Sequence, residues 1–220
     1  MSRDEGIVVV GGGGHARVVM ETLLAAGLRV AGFTDPAGAG SSFGEIPCLG
    51  DDSALPALAR TVRHAIVALG DNALRGRLAR RVEELGFELA SAIHPAARIS
   101  PSATLGRGVA VMANAVLNAG AVVLENAIIN TAASVDHDGR IGRDAHVAPG
   151  CRLAGYVTVE DGALVGVGSV VGRGRPVRIG AWAVVGAGSV VIHDVPPGAT
   201  VAGNPARPLH RAGGRQERTR

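Results

Sequence analysis

Two histidines in the second half of the chain stand among residues that could give them a catalytic role. His137 is flanked by Asp136 and Asp138, and His146 follows nine residues later. A neighbouring carboxylate fixes the tautomer of an imidazole and increases its basicity, as a general base requires. The sequence therefore predicts His137 as a general base supported by Asp138. Asp136 remains the alternative support.

A second group of residues points to the binding of an anion. Residues 11–16 read Gly-Gly-Gly-Gly-His-Ala and connect a short apolar run to an amphipathic segment. Glycines at such a junction allow close approach of a ligand, and the helix N-terminus favours phosphate. Asp35 ends the next apolar run, where an acidic residue commonly accepts ribose hydroxyls. The predicted substrate-binding residues are Gly13, Gly14, His15, Asp35, Gly70, Asn72 and Arg75.

The elements that carry the two histidines follow a six-residue repeat. Every sixth residue from Ile93 to Val171 is Ile, Leu or Val, and the residue four places further on is usually small. This period is typical of a parallel β-helix, in which three hexads wrap one triangular coil. After Val171 the phase slips by two residues and resumes at Ile179, so a loop is expected at one corner.

The first ninety residues lack the repeat. Short apolar runs alternate with helical patterns, which predicts a small parallel α/β sheet of the Rossmann-like type. The sheet is too short for a full dinucleotide fold, so a nucleotide sugar fits better than NAD. The expected domains are residues 1–91 for nucleotide-sugar binding, 92–206 for the β-helix, and 207–220 for an Arg-rich tail.

The spacing of the histidines also predicts where they lie. Nine residues are half of an eighteen-residue coil, so His137 and His146 should occupy different faces of the prism. They could meet only across a subunit boundary, and an active site that uses both would lie between subunits.

Composition excludes several classes of function. All 22 basic residues are Arg, and the excess of positive charge lies in the tail, so nucleic-acid binding is not predicted. The uncharged stretch 108–124 keeps the hexad phase, so it is interpreted as solenoid rather than as a membrane span. Cys151 falls on a small inward position and is expected to be a buried thiol. No signal peptide is visible, which favours a cytoplasmic location.

Several motifs together resemble one group of enzymes. The runs Asn130-Thr131, His137-Asp138, His146-Val147 and Ala154-Gly155 are similar to those of the hexapeptide-repeat sugar acetyltransferases, which include sialic-acid O-acetyltransferases and nucleotide-4-amino-sugar N-acetyltransferases. Gly14-His15, Asp35 and the spacing of Gly70, Asn72 and Arg75 also match that group. The acid after the catalytic histidine is often Glu in the group and is Asp138 here.

The resemblance implies a left-handed β-helix, a homotrimer and a reaction without a metal. His137 would remove a proton from the amine of a nucleotide-linked 4-amino-4,6-dideoxy sugar, which attacks acetyl-CoA. The Gly155 N–H would donate to the carbonyl oxygen of the thioester, and His146 would contact the acetyl group. Asn130 would line the site of the sugar acceptor. The residues expected to contact CoA are His146, Gly155, Gly166, Val167, Gly186, Ala187, Gly203, Asn204 and Arg207. Such enzymes serve surface polysaccharide biosynthesis.

Other functions remain open at this stage. Both GDP-perosamine and UDP-linked 4-amino sugars fit, and O-acetylation of a sialic acid is an alternative within the class. A γ-type carbonic anhydrase shares the prism but needs three histidine ligands, which this spacing does not supply. A non-enzymatic β-solenoid scaffold would leave the His137 and Gly14-His15 motifs unexplained.

Overall fold

The first part of the chain forms a four-stranded parallel sheet with helices on both sides. The computed structural model describes residues 4–38, 40, 42–172 and 174–209. The strands lie in the order β2-β1-β5-β6. The elements of this part are β1 (Asp4–Val10), α1 (Gly14–Ala25), β2 (Val30–Thr34), β3 (Ser42–Phe43), β4 (Ile46–Pro47), a 3-10 turn (Asp52–Ala54), α2 (Leu55–Leu58), β5 (Val62–Val67), α3 (Asn72–Glu84) and β6 (Glu88–Leu89).

The central strand shows why the sheet is buried on both faces. Successive side chains of a strand point to opposite faces. Ile7 and Val9 of β1 therefore pack with α1, whereas Val8 and Val10 pack with the side of the sheet that α3 covers. The predicted parallel α/β sheet is confirmed. The β3–β4 hairpin and the short helices before β5 were not predicted, because they contain too few residues to show a period.

The rest of the described chain is a left-handed parallel β-helix, as predicted. Its strands stack with a spacing of eighteen residues, for example Ala110 opposite Ile128. The first face contains β7 (Ala92–Ile93), β10 (Ala110–Val111), β13 (Ile128–Ile129), β16 (His146–Val147), β19 (Leu164–Val165), β22 (Val184–Val185), β24 (Thr200–Gly203) and β25 (Ala206–Pro208).

The other two faces complete the triangular prism. The second face contains β8 (Arg98–Ile99), β11 (Val116–Leu117), β14 (Ser134–Val135), β17 (Arg152–Leu153), β20 (Val170–Val171) and β23 (Val190–Val191). The third face contains β9 (Thr104–Leu105), β12 (Val122–Val123), β15 (Arg140–Ile141), β18 (Thr158–Val159) and β21 (Arg178–Ile179).

The hexad residues form the core of the prism. The aliphatic residues and most of the small residues of the repeat are buried in one continuous cluster, and Cys151 is buried among them. The two-residue phase slip after Val171 falls between β20 and β21, and the strands resume at Arg178. Both features agree with the sequence expectation. β25 continues to Pro208, two residues beyond the expected end of the solenoid, and residues 210–220 of the tail lie outside the described residues.

The α/β part rests on the first face of the prism. Outward side chains of β7, β10 and β13, namely Ala92, Ala110 and Ile128, are buried against α1 and β1 together with Met112. Removal of this apolar surface from water stabilises the contact between the two parts. In the described part of the chain, no helix is long and apolar enough to cross a membrane.

Candidate active site

His137 lies at a corner of the prism immediately after β14, with its ring held by one carboxylate. Its Nδ1 is 2.9 Å from Oδ2 of Asp138, and the side chain is about half exposed. This hydrogen bond raises the pKa of His137 above its ordinary value. Asp136 instead accepts from the backbone N–H of His137 and from Nδ2 of Asn118, both at 2.8 Å. In this structure Asp138, not Asp136, therefore supports the imidazole.

Gly155 occupies the corresponding position of the next coil and lies against the other ring nitrogen. A Cβ atom at Gly155 would stand 2.5 Å from Nε2 of His137, so only glycine leaves the imidazole in place. The Tyr156 N–H donates to the His137 carbonyl at 3.0 Å. Among the described residues, no acceptor lies within hydrogen-bond distance of the Gly155 N–H. A donor that is free beside a general base can stabilise a developing oxyanion.

A groove of about 450 Å³ runs beside this corner. It is lined by His137, Ala154, Gly155, Tyr156, Gly174, Arg175 and Pro176. The last three belong to the loop that the two-residue insertion creates. The insertion therefore forms one wall of this groove. His137 and Gly155 belong to the lining of the same groove.

His146 lies on the first face, where the α/β part covers it. Its Nε2 is 3.0 Å from Nδ2 of Asn130, and its ring centroid is 6.2 Å from that of His15. The Asn130 Oδ1 accepts from the Thr131 N–H at 2.8 Å, so its Nδ2 faces His146 and donates. Nε2 of His146 is then the acceptor, and its proton resides on Nδ1.

Both histidines of this cluster are neutral at physiological pH. Burial, together with the charges of Arg75 and His15, lowers the pKa of His146 to about 4. Burial, with Arg75 adding, also lowers the pKa of His15 to about 4. His146 was expected to face outward and does so relative to the prism, but the docked α/β part removes it from solvent.

The glycine-rich loop leaves the N-terminus of α1 open. Gly13 precedes α1 in an extended conformation without a side-chain cap, and a Cβ at Gly13 or Gly14 would meet no atom within 4 Å. Unpaired N–H groups at a helix N-terminus attract anions. Asp35 follows β2 and packs over Gly12, where a Cβ would be 2.2 Å from its Oδ2. Its Oδ1 accepts from the Ala37 N–H at 2.8 Å.

Asn72 and Arg75 were expected to bind substrate, but the structure uses them to join the two parts of the chain. Arg75 is 1% exposed and donates to the carbonyls of Leu69, Asn126 and Asp144 and to Oδ1 of Asn72. Asn72 donates through Nδ2 to the carbonyls of Gly162 and Ala163 at 3.0 and 3.2 Å. Their polar atoms are therefore engaged by protein. Gly70 lies beside His146 and has no atom within 4 Å of its Cβ position.

Apart from Gly155 and His146, the residues expected to contact CoA lie away from the corner of His137. Gly166, Val167, Gly186 and Ala187 follow β19 and β22 on the first face, and Val167 is 54% exposed. The Gly166 and Gly186 N–H groups donate to the next coil, to Val185 and Val201. Gly203 pairs with Ala206 around the turn between β24 and β25, with Asn204 in that turn and Arg207 exposed after it.

One chain alone does not bring all the expected site residues together. His137, Asp138 and Gly155 form one group, and His146, Asn130, His15 and the glycine-rich loop form another. β14 and β16 belong to different faces, which agrees with the half-coil spacing of the two histidines. Among the described residues, no three His, Cys, Asp or Glu side chains come together as a metal site.

Sequence reasoning did not single out three residues that the structure places at these sites. Tyr156 packs against His137. Asn126 and Asp144 receive Arg75 through their carbonyls, and Nδ2 of Asn126 donates to Oδ1 of Asp144 at 2.5 Å. Asn126 and Asp144 have positive φ at the same corner of two successive coils, a conformation that Asn and Asp tolerate. Asn and Asp are ordinary residues at such a corner, so the sequence did not indicate that these two also contact Arg75.

Comparisons with known proteins place these features in context. The family model described as the PglD N-terminal domain matches residues 6–82. The curated GDP-perosamine N-acetyltransferase of Escherichia coli O157:H7 is 31% identical over 149 residues, which are 66% of this chain and 67% of that protein.

Solved structures extend the similarity over almost the whole chain. A variant of the perosamine N-acetyltransferase of Caulobacter crescentus, in complex with CoA and GDP-perosamine, has a TM-score of 0.89 and 45% identity, and the match covers 94% of this chain and 97% of that one. The acetyltransferase domain of PglB from Neisseria gonorrhoeae FA1090, in complex with acetyl coenzyme A, has a TM-score of 0.87 and 38% identity, with 94% of this chain and 100% of that one covered.

Proposed function

Because this chain belongs to the family of hexapeptide-repeat nucleotide-amino-sugar N-acetyltransferases, we propose that it acetylates the 4-amino group of GDP-perosamine with acetyl-CoA. It is an acyltransferase of this family. Among the relatives more than 30% identical to this chain, those whose names include a sugar nucleotide name GDP-perosamine, which favours GDP over UDP. The observation that carries the proposal is the contact of His137 with both Asp138 and Gly155.

The proposed reaction uses only groups present at the His137 corner. Nε2 of His137 accepts a proton from the sugar amine while the amine nitrogen attacks the thioester carbonyl carbon. The C–N bond forms, and the carbonyl oxygen becomes an oxyanion beside the Gly155 N–H. Collapse of this intermediate breaks the C–S bond and releases the CoA thiolate, which takes up the proton. Asp138 stabilises the imidazolium of His137 from the attack of the amine until the thiolate takes up the proton.

The position of the sugar nucleotide follows from the open end of α1. The diphosphate would lie at the Gly13-Gly14 loop, and Asp35 would accept a ribose hydroxyl. The sugar would extend toward Asn130 and His146, both of which lie under this loop.

The catalytic and binding groups would be joined by a second copy of the chain. His137 and His146 lie on different faces of one prism. We therefore place the complete site between neighbouring prisms of a homotrimer, with CoA along the edge that holds Val167 and Ala187. Light scattering at assay concentration tests this. A fully active monomer would contradict it.

A turnover panel tests the substrate. The full chain is incubated with acetyl-CoA and, separately, GDP-perosamine, a UDP-linked 4-amino-4,6-dideoxy sugar and a sialic acid, and the released CoA thiol is measured. We expect the highest kcat/KM with GDP-perosamine and N-acetylated product by mass spectrometry. Preference for the UDP sugar would correct the nucleotide. Acetylation of the sialic acid alone would refute N-acetyl transfer.

A further inference from the structure

The corners of the prism share a backbone conformation that disfavours large side chains. From Gly108 onward, the corners contain a residue with φ near +60°, which residues other than Gly, Asn and Asp rarely adopt. In the described part of the prism, the small or short polar residues at these positions are Gly108, Asn114, Gly120, Asn126, Ala132, Asp138, Asp144, Gly150, Gly162, Gly168, Gly174, Gly188 and Gly198. Tyr156 (φ 60°) and Trp182 (φ 59°) are the aromatic exceptions among them.

The fold gains little from an aromatic ring at either position. Tyr156 is 55% exposed and Trp182 is 50% exposed, so neither ring belongs to the core. An unfavourable backbone conformation persists where the side chain does something that the fold does not require. The two aromatic residues differ in what they touch. The Trp182 ring covers Gly162, whereas the Tyr156 ring meets His137.

Tyr156 supplies a contact that His137 otherwise lacks. The two ring centroids are 5.0 Å apart, and the rings are nearly perpendicular at 89°. Perpendicular aromatic pairs at this separation attract each other. Asp138 anchors only Nδ1, and a single hydrogen bond lets the imidazole pivot about that atom. The Tyr156 ring blocks this motion, while the absence of a side chain at Gly155 leaves room for Nε2.

We propose that Tyr156 is a positioning residue for His137, which holds the imidazole with Nε2 directed into the groove and forms an apolar wall beside the sugar amine. This inference rests on the proposed function, since it assigns His137 the role of base. The exposed surface of the Tyr156 ring lines the same groove as Arg175 and Pro176. The ring thus excludes water from one side of the reacting atoms.

Substitution by Asn separates positioning from stability. Tyr156→Asn removes the ring and introduces a residue that tolerates φ near +60°. We expect the trimer and the melting temperature to be kept or improved, while kcat falls about tenfold because the base is no longer held. KM for acetyl-CoA should change little. Tyr156→Phe keeps the ring and should retain nearly the wild-type kcat.

Trp182→Asn is the matched control. It relieves the same backbone conformation at another corner without touching His137, so kcat should remain at the wild-type level. The pH profile supplies a further readout. Among the described residues, the titratable and charged groups at this corner are Asp136, Asp138, Tyr156 itself and Arg175, which lines the same groove. Water admitted by Tyr156→Asn favours the imidazolium, so the acid limb of kcat should move to higher pH.

Two results would overturn the proposal. One is a Tyr156→Asn variant with wild-type kcat and pH profile. The other is a variant that loses stability and activity together, which would make the ring structural. If the wild-type chain acetylates no sugar nucleotide, the proposed function fails, but carbethoxylation of His137 by diethyl pyrocarbonate still tests Tyr156. At a pH above the acid limb, where the imidazole is neutral in all three proteins, the reaction should be faster in Tyr156→Asn than in wild type and in Trp182→Asn. An unchanged rate would refute the positioning role.

Discussion

Arg75 of the α/β part reaches across to Asp144 of the prism, with Nη2 at 2.5 Å from the Asp144 carbonyl oxygen. The close approach depends on the next residue, because a Cβ at Gly76 would stand 2.6 Å from Oδ2 of Asp144. Burial lowers the pKa of Arg75 to about 10, while Asp144 and Asp71 act in the opposite direction, so the guanidinium stays charged. This contact joins α3 to the prism, and the charge of Arg75 acts on both His15 and His146.

Replacement of Arg75 should loosen the docking of the α/β part. Arg75→Met leaves the carbonyls of Leu69, Asn126 and Asp144 without their donor. The loss of a buried hydrogen-bonded charge partner costs roughly 3–5 kcal/mol. Calorimetry should show a lower melting temperature, and KM for the sugar nucleotide should increase. The control is Arg77→Ala, an exposed position on the same helix. A wild-type melting temperature for Arg75→Met would show that the contact contributes nothing.

Gly155→Ala should block the reaction without unfolding the prism. The added methyl group would lie 2.5 Å from Nε2 of His137 and would displace the imidazole from the Gly155 N–H. A displacement of about 1 Å can reduce a rate roughly 10²-fold, so a loss of that order in kcat is expected. Gly198→Ala is the control for a methyl group added far from His137, because its Cβ position has no atom within 4 Å; its φ of +69° strains the backbone, so its melting temperature is measured as well. Equal kcat for the two variants would separate Gly155 from the chemistry.

His137 should determine the pH dependence of kcat. His137→Ala should lower kcat by about 10²–10⁴-fold. The imidazole acts as a base only when neutral, and the hydrogen bond to Asp138 raises its pKa, so activity is lost as pH falls through that raised pKa. Asp138→Asn should lower the plateau and move the acid limb to lower pH. The kcat profile of Asp138→Asn, measured on protein whose oligomeric state matches that of wild type, would show it. An unshifted limb would remove Asp138 from the mechanism.

The hexad repeat made the prism predictable because each residue's position in a coil follows from its place in the period. The different faces of His137 and His146 followed in the same way. The period says nothing about which face the α/β part covers, so the burial of His146 was missed. Gly70, Asn72 and Arg75 were interpreted as ligand-binding residues because they follow the carboxyl end of a parallel strand, where ligands commonly bind. Only the docked structure shows that Asn72 and Arg75 face protein carbonyls.

Tyr156 shows a different limit of sequence reasoning. Corner residues have no periodic hydrophobic signal, and an aromatic residue there looks like an ordinary surface position. Its φ of 60° and its distance from His137 are visible only when the coil is built. The choice between Asp136 and Asp138 was open for the same reason, because both flank the histidine and only the corner geometry turns one of them toward Nδ1.

Acid should destabilise the fold through the buried histidine pair. The pKa of His15 and that of His146 are both lowered to about 4, whereas an unfolded histidine has a pKa of 6.5. Between these values the unfolded chain binds more protons, so stability is complete above about pH 6.5 and declines as pH falls. Each histidine contributes at most roughly 3 kcal/mol.

Urea unfolding between pH 7 and pH 5 measures this effect, because most carboxylates titrate below that window. His146→Gln removes one of the two titrations and should reduce the slope of unfolding free energy against pH to about half. The same slope in wild type and variant would mean that His146 is protonated in the folded protein.

Asp35 should determine affinity for the sugar nucleotide and not for acetyl-CoA. Its carboxylate lies over the Gly12 backbone at the end of β2, in the α/β part, whereas the residues assigned to CoA belong to the prism. Loss of a hydrogen bond to a charged group costs roughly 1.5–3 kcal/mol, which is about a tenfold to hundredfold increase in KM for the sugar nucleotide. Because the ribose is remote from the amine, kcat should change little.

Asp35→Ala also removes the acceptor of the Ala37 N–H. Asp35→Asn keeps that acceptor, so it separates the loss of charge from the loss of the turn. Kinetics with both substrates varied decide the matter, and a larger effect on acetyl-CoA would show that the two parts of the chain bind the opposite ligands.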